Sequence, residues 1–189
     1  LQSLAFFTSY AALCLSGVAK AQPDAPLALQ SPQEAFYQMP PAVETRWYTY
    51  ENPQGLKGQG GKERFGRKGA PCVAIPAGKS LVIADITGSG TIRRIWFTFW
   101  NRSPEALRGI KLEAYWEEAR TPAVQAPLGD FFCNGHALRY NVNSLPMAVN
   151  PSGGFNSYWP MPFRKGARIT IENQHPEAIG GFFYQITYA

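Results

Sequence analysis

Three stretches hold the residues whose types and spacing could do chemistry. Asp130 and His136 stand in PLGDFFCNGH. Asn156, Tyr158, Trp159, Phe163 and Arg164 stand in GGFNSYWPMPFRKGARI. Trp47, Tyr48, Glu51 and Asn52 open TRWYTYENPQGLKGQGGKERFGRKGAP, which runs from Thr45 to Pro71. Flat aromatic faces beside amides and charges suit a sugar: the C–H face of the ring stacks, and the hydroxyls take directed hydrogen bonds. Each stretch also has a plainer reading. Asp130 caps its own turn through backbone N–H groups, the second stretch fills a core, and the long loop is a basic solvated segment or a subunit contact.

Other chemistries fit poorly. The long loop has six glycines and six Lys or Arg residues against two carboxylates, which raises phosphate binding. In a phosphate loop, however, Lys62 would be followed by Ser or Thr and not Glu63, and a glycine would replace Leu56. The dinucleotide fingerprint fails as well, lacking its third glycine and the helix that follows. His136 and His175 are far apart and without metal-ligand spacing, and no G-x-S-x-G elbow occurs. No metal or cofactor is expected. Glu51 and Asp130 are the polar-loop carboxylates to test; Glu113 and Glu117 read as solvated outer-face residues of a strand.

The elements that must position these residues are mostly strands. From Ile92 to Trp100, Ile95, Phe97 and Phe99 share one face, and Ile92, Arg94, Trp96, Thr98 and Trp100 the other. From Arg108 to Glu118, Ile110, Leu112, Ala114 and Trp116 alternate with Lys111, Glu113, Tyr115 and Glu117, a strand with one wet face. Further strands are read at Lys79–Ile86, Ala123–Leu128, Arg168–Asn173 and Gly181–Tyr188. Short strands between Gly- and Pro-rich turns predict an all-β antiparallel sandwich of jelly-roll type. One short helix is expected near the N-terminus, where Ser31-Pro32-Gln33-Glu34 forms a capping box with Pro at the first helical position. No other convincing helix is read.

The chain has 189 residues, 45% hydrophobic and 16% charged, enough for one domain with a real core. LAFFTSYAALCLSGVA, ending in Ala19-Lys20-Ala21, has the form of a secretory signal peptide cleaved before Gln22. The organisation expected is a signal peptide over 1–21, a linker and short helix over 22–44, and the sandwich over 45–189. The expected location is secreted or periplasmic. That compartment leaves Cys72 and Cys133 either paired or as two free thiols. A net charge of +5 with interleaved aromatics is compatible with nucleic acid, yet an exported chain rarely meets any, so no nucleic acid partner is expected.

The strings TRWYTYENPQGLKGQGGKERFGRKGAP, GSGTIRRIWFTF, LRGIKLEAYWE, PLGDFF, FNSYWPMPFRKGARITIEN and FFYQITY resemble, in the same order, the domain-of-unknown-function family 2961, now glycoside hydrolase family 172. The resemblance covers Thr45 to Tyr188. It implies a double jelly roll, assembly into homo-oligomers, and retaining hydrolysis of fructofuranosyl or arabinofuranosyl linkages. The family's two catalytic glutamates lie in its second jelly roll, in motifs resembling W-G-E-G-D-E and G-T-G-T-E-D-Y-F, and neither string occurs here. The resemblance therefore implies the N-terminal half of a furanoside-acting hydrolase, inactive without its missing C-terminal jelly roll. The catalytic residues are unknown in this chain. Trp47, Tyr48, Glu51, Asn52, Asp130, His136, Asn156, Phe163 and Arg164 are its candidate substrate contacts, in a carbohydrate with furanose residues. The alternative is a carbohydrate-binding β-sandwich without catalysis.

Overall fold

The period-two pattern predicts where the buried faces fall, and the computed structural model bears this out. It describes residues 42–189 apart from 68. The signal-like run and the expected helix at Ser31 lie outside the described residues. In chain order the elements are β1 (Arg46–Tyr48), α1 (Glu63–Gly66), β2 (Val73–Ile75), β3 (Ser80–Thr87), β4 (Gly90–Thr98), α2 (Pro104–Gly109), β5 (Ile110–Trp116), β6 (Val124–Pro127), α3 (Leu128–Phe131), β7 (Val142–Asn143), β8 (Met147–Val149), β9 (Phe155–Ser157), β10 (Met161–Phe163), β11 (Gly166–Asn173) and β12 (Ile179–Tyr188).

The strands form two antiparallel sheets. The larger runs β1-β12-β4-β9-β8-β7, with β10 also on β4 and β2 also on β12; the smaller runs β3-β11-β5-β6. The chain crosses between sheets from β2 to β3, from β3 to β4, from β4 to β5, from β6 to β7, from β10 to β11 and from β11 to β12. Repeated crossing of this kind gives an antiparallel sandwich of the jelly-roll type.

The inner faces supply the core. Phe97, Phe99, Phe132, Phe155 and Phe182 are fully buried. The Phe97 and Phe132 rings meet edge-on at 5.7 Å, and Phe99 stacks on Phe155 at 5.7 Å. Each such ring contributes about 1.5–3 kcal/mol by burial, so this aromatic cluster fixes how the sheets face each other.

Three local features go beyond the sequence reading. Ile92 does not share a face with Arg94. On β12, Thr187 pairs with Arg94 and the next residue, Tyr188, with Ile92, so Arg93 is an extra residue in a bulge. The bulge turns Ile92 into the core, where it is fully buried. Second, short helices exist beyond the one expected. Ser103 caps α2, its Oγ accepting from the Ala106 N–H at 3.2 Å with Pro104 following. Ser followed by Pro is the start of the signal read at Ser31, without the Glu three residues on, and six residues are too few for helical periodicity to register. Third, α1 is a turn more than a helix, because Arg64 and Phe65 have φ of 49° and 57°.

Candidate functional site

The loop after β1 is folded on itself around Asn52. Its Nδ2 donates to the carbonyls of Trp47 and Leu56 at 3.1 Å each, and its Oδ1 accepts from the Leu56 N–H at 3.1 Å. Asn52 is buried, and every one of these bonds holds the loop. Glu51 accepts from the Ala70 N–H at 3.1 Å, joining the two ends of the loop. Tyr48 is a core residue. Its hydroxyl donates to the Asp85 carbonyl at 2.7 Å, and burial pushes its pKa up to about 12. Neither Tyr48 nor Asn52 presents a free face. Trp47 does: it is 41% exposed. A Cβ on Gly60 would come within 2.6 Å of its indole nitrogen, so only glycine lets the loop approach the ring this closely. Trp47 borders a small hollow with Thr45, Arg46, Leu56, Lys57 and Gly58.

Asp130 stands in α3, a helical turn that follows β6. One carboxylate oxygen pairs with Arg108 of α2, and the other is buried without a protein partner. The pair ties the two helices together. His136 is exposed in the turn beyond. Asn134, which sequence reasoning passed over, is fully buried there, and its backbone N–H donates to Gly129 at 2.7 Å.

Of the third stretch, Phe163 is buried in the core, lying against Gly90. The Arg164 side chain is exposed, and its backbone N–H donates to Glu117 at 2.7 Å; the Lys165 N–H donates to the other Glu117 oxygen at 2.7 Å. Glu117 is therefore a turn clamp past the end of β5 and not an outer-face residue of the strand. Glu113 is no solvated carboxylate either. Burial would raise its pKa, but hydrogen bonds from Gln125, Lys111 and Tyr115 outweigh that and hold it at about 2.

Asn156 sits differently. It pairs with Trp96 across β9 and β4, on the outward face of the larger sheet. Arg94, on the same face, donates from Nη2 to Asn156 Oδ1 at 2.8 Å, and its guanidinium carbon lies 5.9 Å from the centre of the Tyr158 ring. Asn156 Nδ2 in turn donates to the Ala148 and Gly154 carbonyls at 3.3 and 3.1 Å. Arg94 makes no salt bridge among the described residues, and its Nε is buried without a partner. Tyr158, beside it, and Trp159, next in the chain, are exposed. The structure thus gathers a cation, fixed by the buried Asn156 amide, and open aromatic faces. The nine predicted residues do not converge on one spot. Arg94 and Trp96 were missed as site residues, although period-two alternation already set both on one strand face.

A separate cleft on the smaller sheet is lined by Asp85, Tyr115, Glu118, Lys165 and Arg168, among others. Its charged side chains are exposed, and no predicted side chain borders it, so the held Arg94 group is the better site. Among the described residues no cluster of His, Cys, Asp or Glu could hold a metal. Cys72 and Cys133 are free thiols, half-buried and exposed respectively, so of the two open states the unpaired one is found. No helix among the described residues is long and apolar enough to cross a membrane.

Fold and connectivity define the class as a β-sandwich domain of the jelly-roll type. The sequence model of the GH172 first beta-sandwich domain matches residues 49–189. The chain belongs to glycoside hydrolase family 172, as its N-terminal β-sandwich domain. No curated protein matches it.

Proposed function

We propose that this domain is the N-terminal part of an exported, furanoside-acting glycoside hydrolase. It contributes contacts to the carbohydrate, while a second jelly roll supplies the carboxylates that break the bond. The observation that carries the reading is the Arg94, Asn156 and Tyr158 group on the outer face of the larger sheet. It offers a guanidinium, held in place by the buried Asn156 amide, beside exposed aromatic rings, a charged donor and flat faces of the kind a sugar ring needs, on a domain of a glycoside hydrolase family. The carboxylates support the division of labour. Glu51 is bound to a backbone N–H, Asp130 to Arg108, and Glu113 to a network on the opposite sheet. Assembly into homo-oligomers belongs to the same reading.

The commitment of these carboxylates also favours the second reading, a binding sandwich that takes part in no catalysis. Titration of the full chain with arabinofuranosyl and fructofuranosyl trisaccharides by NMR, beside an aryl-furanoside hydrolysis assay, tests the proposal. Binding that shifts the Trp96 and Asn156 signals, without turnover, is expected. Turnover that disappears on changing Glu51 or Asp130 would place catalysis in this domain. Absence of binding by either sugar would remove the carbohydrate role.

A further inference from the structure

The outward face of β4 continues beyond Arg94 into a second cationic place. Arg102 Nη1 donates to the Ser152 carbonyl at 2.7 Å and to Thr98 Oγ1 at 3.3 Å. Thr98 Oγ1 donates onward to the Gly153 carbonyl at 3.1 Å. These bonds lay the turn between β8 and β9 along the strand. Arg139 reaches the same turn from the other side. The point where a Gly153 Cβ would stand is 2.8 Å from Arg102 Nη1 and 3.0 Å from Arg139 Cδ. Two arginine side chains therefore converge on one glycine. Neither makes a salt bridge among the described residues.

Between this pair and Arg94 lies Trp96, whose indole nitrogen is 3.6 Å from the Cβ position of Gly154. Thr98 and Arg94 are four residues apart on one strand, so the strip spans about 14 Å. It carries three guanidinium groups and no carboxylate. The smaller sheet's outer face contrasts with it: there Lys111 is paired with both Glu113 and Glu172. Guanidinium groups crowded without a counter-charge repel one another and concentrate anions. Their planar fork matches a carboxylate. Arg94 and Arg102 are already held by hydrogen bonds, so little side-chain freedom is lost when a ligand arrives.

We propose that this strip binds a glycan bearing carboxylate groups, a uronate-containing oligosaccharide. A carboxylate pairs with the outer edges of Arg102 and Arg139, which cover Gly153, and the neighbouring sugar ring lies toward Trp96 and Arg94. This rests on the carbohydrate reading given above and adds the charge of the ligand to it. A sugar is favoured over an acidic polypeptide because the arginines flank aromatic rings on a domain of a carbohydrate-active family.

The test is calorimetric titration of the full chain with three probes: trigalacturonic acid, a neutral arabinofuranosyl trisaccharide, and a glutamate tetrapeptide. Trigalacturonic acid is expected to bind tighter than the neutral sugar, and the more so at low salt. The Arg102→Gln/Arg139→Gln variant should lose at least about tenfold for the uronate with the neutral sugar unchanged. Arg139→Gln alone, at an exposed position, gives the same comparison if the double variant unfolds. Uronate binding no tighter than neutral binding overturns the inference and leaves the carbohydrate reading standing. Glutamate peptide binding as tight as the uronate overturns it in favour of an acidic protein partner. No binding by any probe overturns both.

Discussion

Glu117 holds the backbone N–H groups of Arg164 and Lys165, one on each carboxylate oxygen and both at 2.7 Å. It does so from a left-handed conformation, with φ of 57°. One side chain thus ties the end of β5 to the turn that opens β11. Glu117→Ala should lower Tm by removing this clamp while keeping the strained backbone. Glu117→Gly should lower it less, because glycine adopts that φ without strain. The order of the two melting temperatures is the check; an unaffected Tm in both would show the clamp to be idle.

Acid should weaken the fold through Glu113. Hydrogen bonds from Gln125, Lys111 and Tyr115 hold the folded carboxyl at about 2, against an ordinary value of 4.5. With the folded value depressed, its contribution is fully present above the unfolded value and is lost as pH falls from there toward 2. The contribution is on the order of 1–3 kcal/mol. Urea unfolding at pH 7 and pH 3 should show a smaller acid loss for Glu113→Gln than for the parent chain. Equal acid losses would assign the effect to other carboxylates.

Asn52→Ala should cost about 1–3 kcal/mol, because it leaves the Leu56 N–H and two loop carbonyls without their partner. Its effect on sugar binding should be indirect, through disorder of the Thr45 to Pro71 loop. Trp47→Ala should show the converse: a smaller fall in Tm, since the residue is 41% exposed, and weaker sugar binding if the loop contacts carbohydrate. Paired melting and titration curves separate the two. Trp47→Ala with full affinity would give the loop a subunit contact instead.

Asp130→Asn keeps the shape at α3 and removes half of an ion pair with Arg108. Partly exposed pairs of this kind are worth about 0–1 kcal/mol, so a small fall in Tm is expected. In an enzyme completed by its second jelly roll, kcat and KM should stay close to those of the parent. A large loss in kcat at unchanged Tm would return Asp130 to the substrate pocket.

Arg94→Lys keeps the charge and loses the planar fork that reaches Asn156. Binding of the neutral trisaccharide should fall several-fold while the fold persists. Asn156→Ala should destabilise more, because Asn156 also donates to two backbone carbonyls. If Arg94→Lys binds as well as the parent, the sugar contact lies elsewhere on the domain.

Alternation along the chain was enough to determine the class of fold. Ile95, Phe97 and Phe99 of β4, like Ile110, Leu112 and Ala114 of β5, fall inside because side chains in a strand point to opposite faces in turn. The same rule set Arg94, Trp96 and Thr98 on one outward face before any partner strand was known. What pairing and packing decided was of another kind. The bulge at Arg93 reversed Ile92, because an extra residue in one strand is visible only against its partner. Tyr48, Asn52 and Phe163 have the composition of a binding surface, yet the Asp85 carbonyl, the Leu56 backbone and Gly90 respectively occupy them. Asn156 found Arg94 across 62 residues, and Asp130 found Arg108 across 22 residues that include β5 and β6. A polar side chain reads alike in sequence whether it serves its own fold or faces outward; its partners, often distant in the chain, are supplied only when the sheets close.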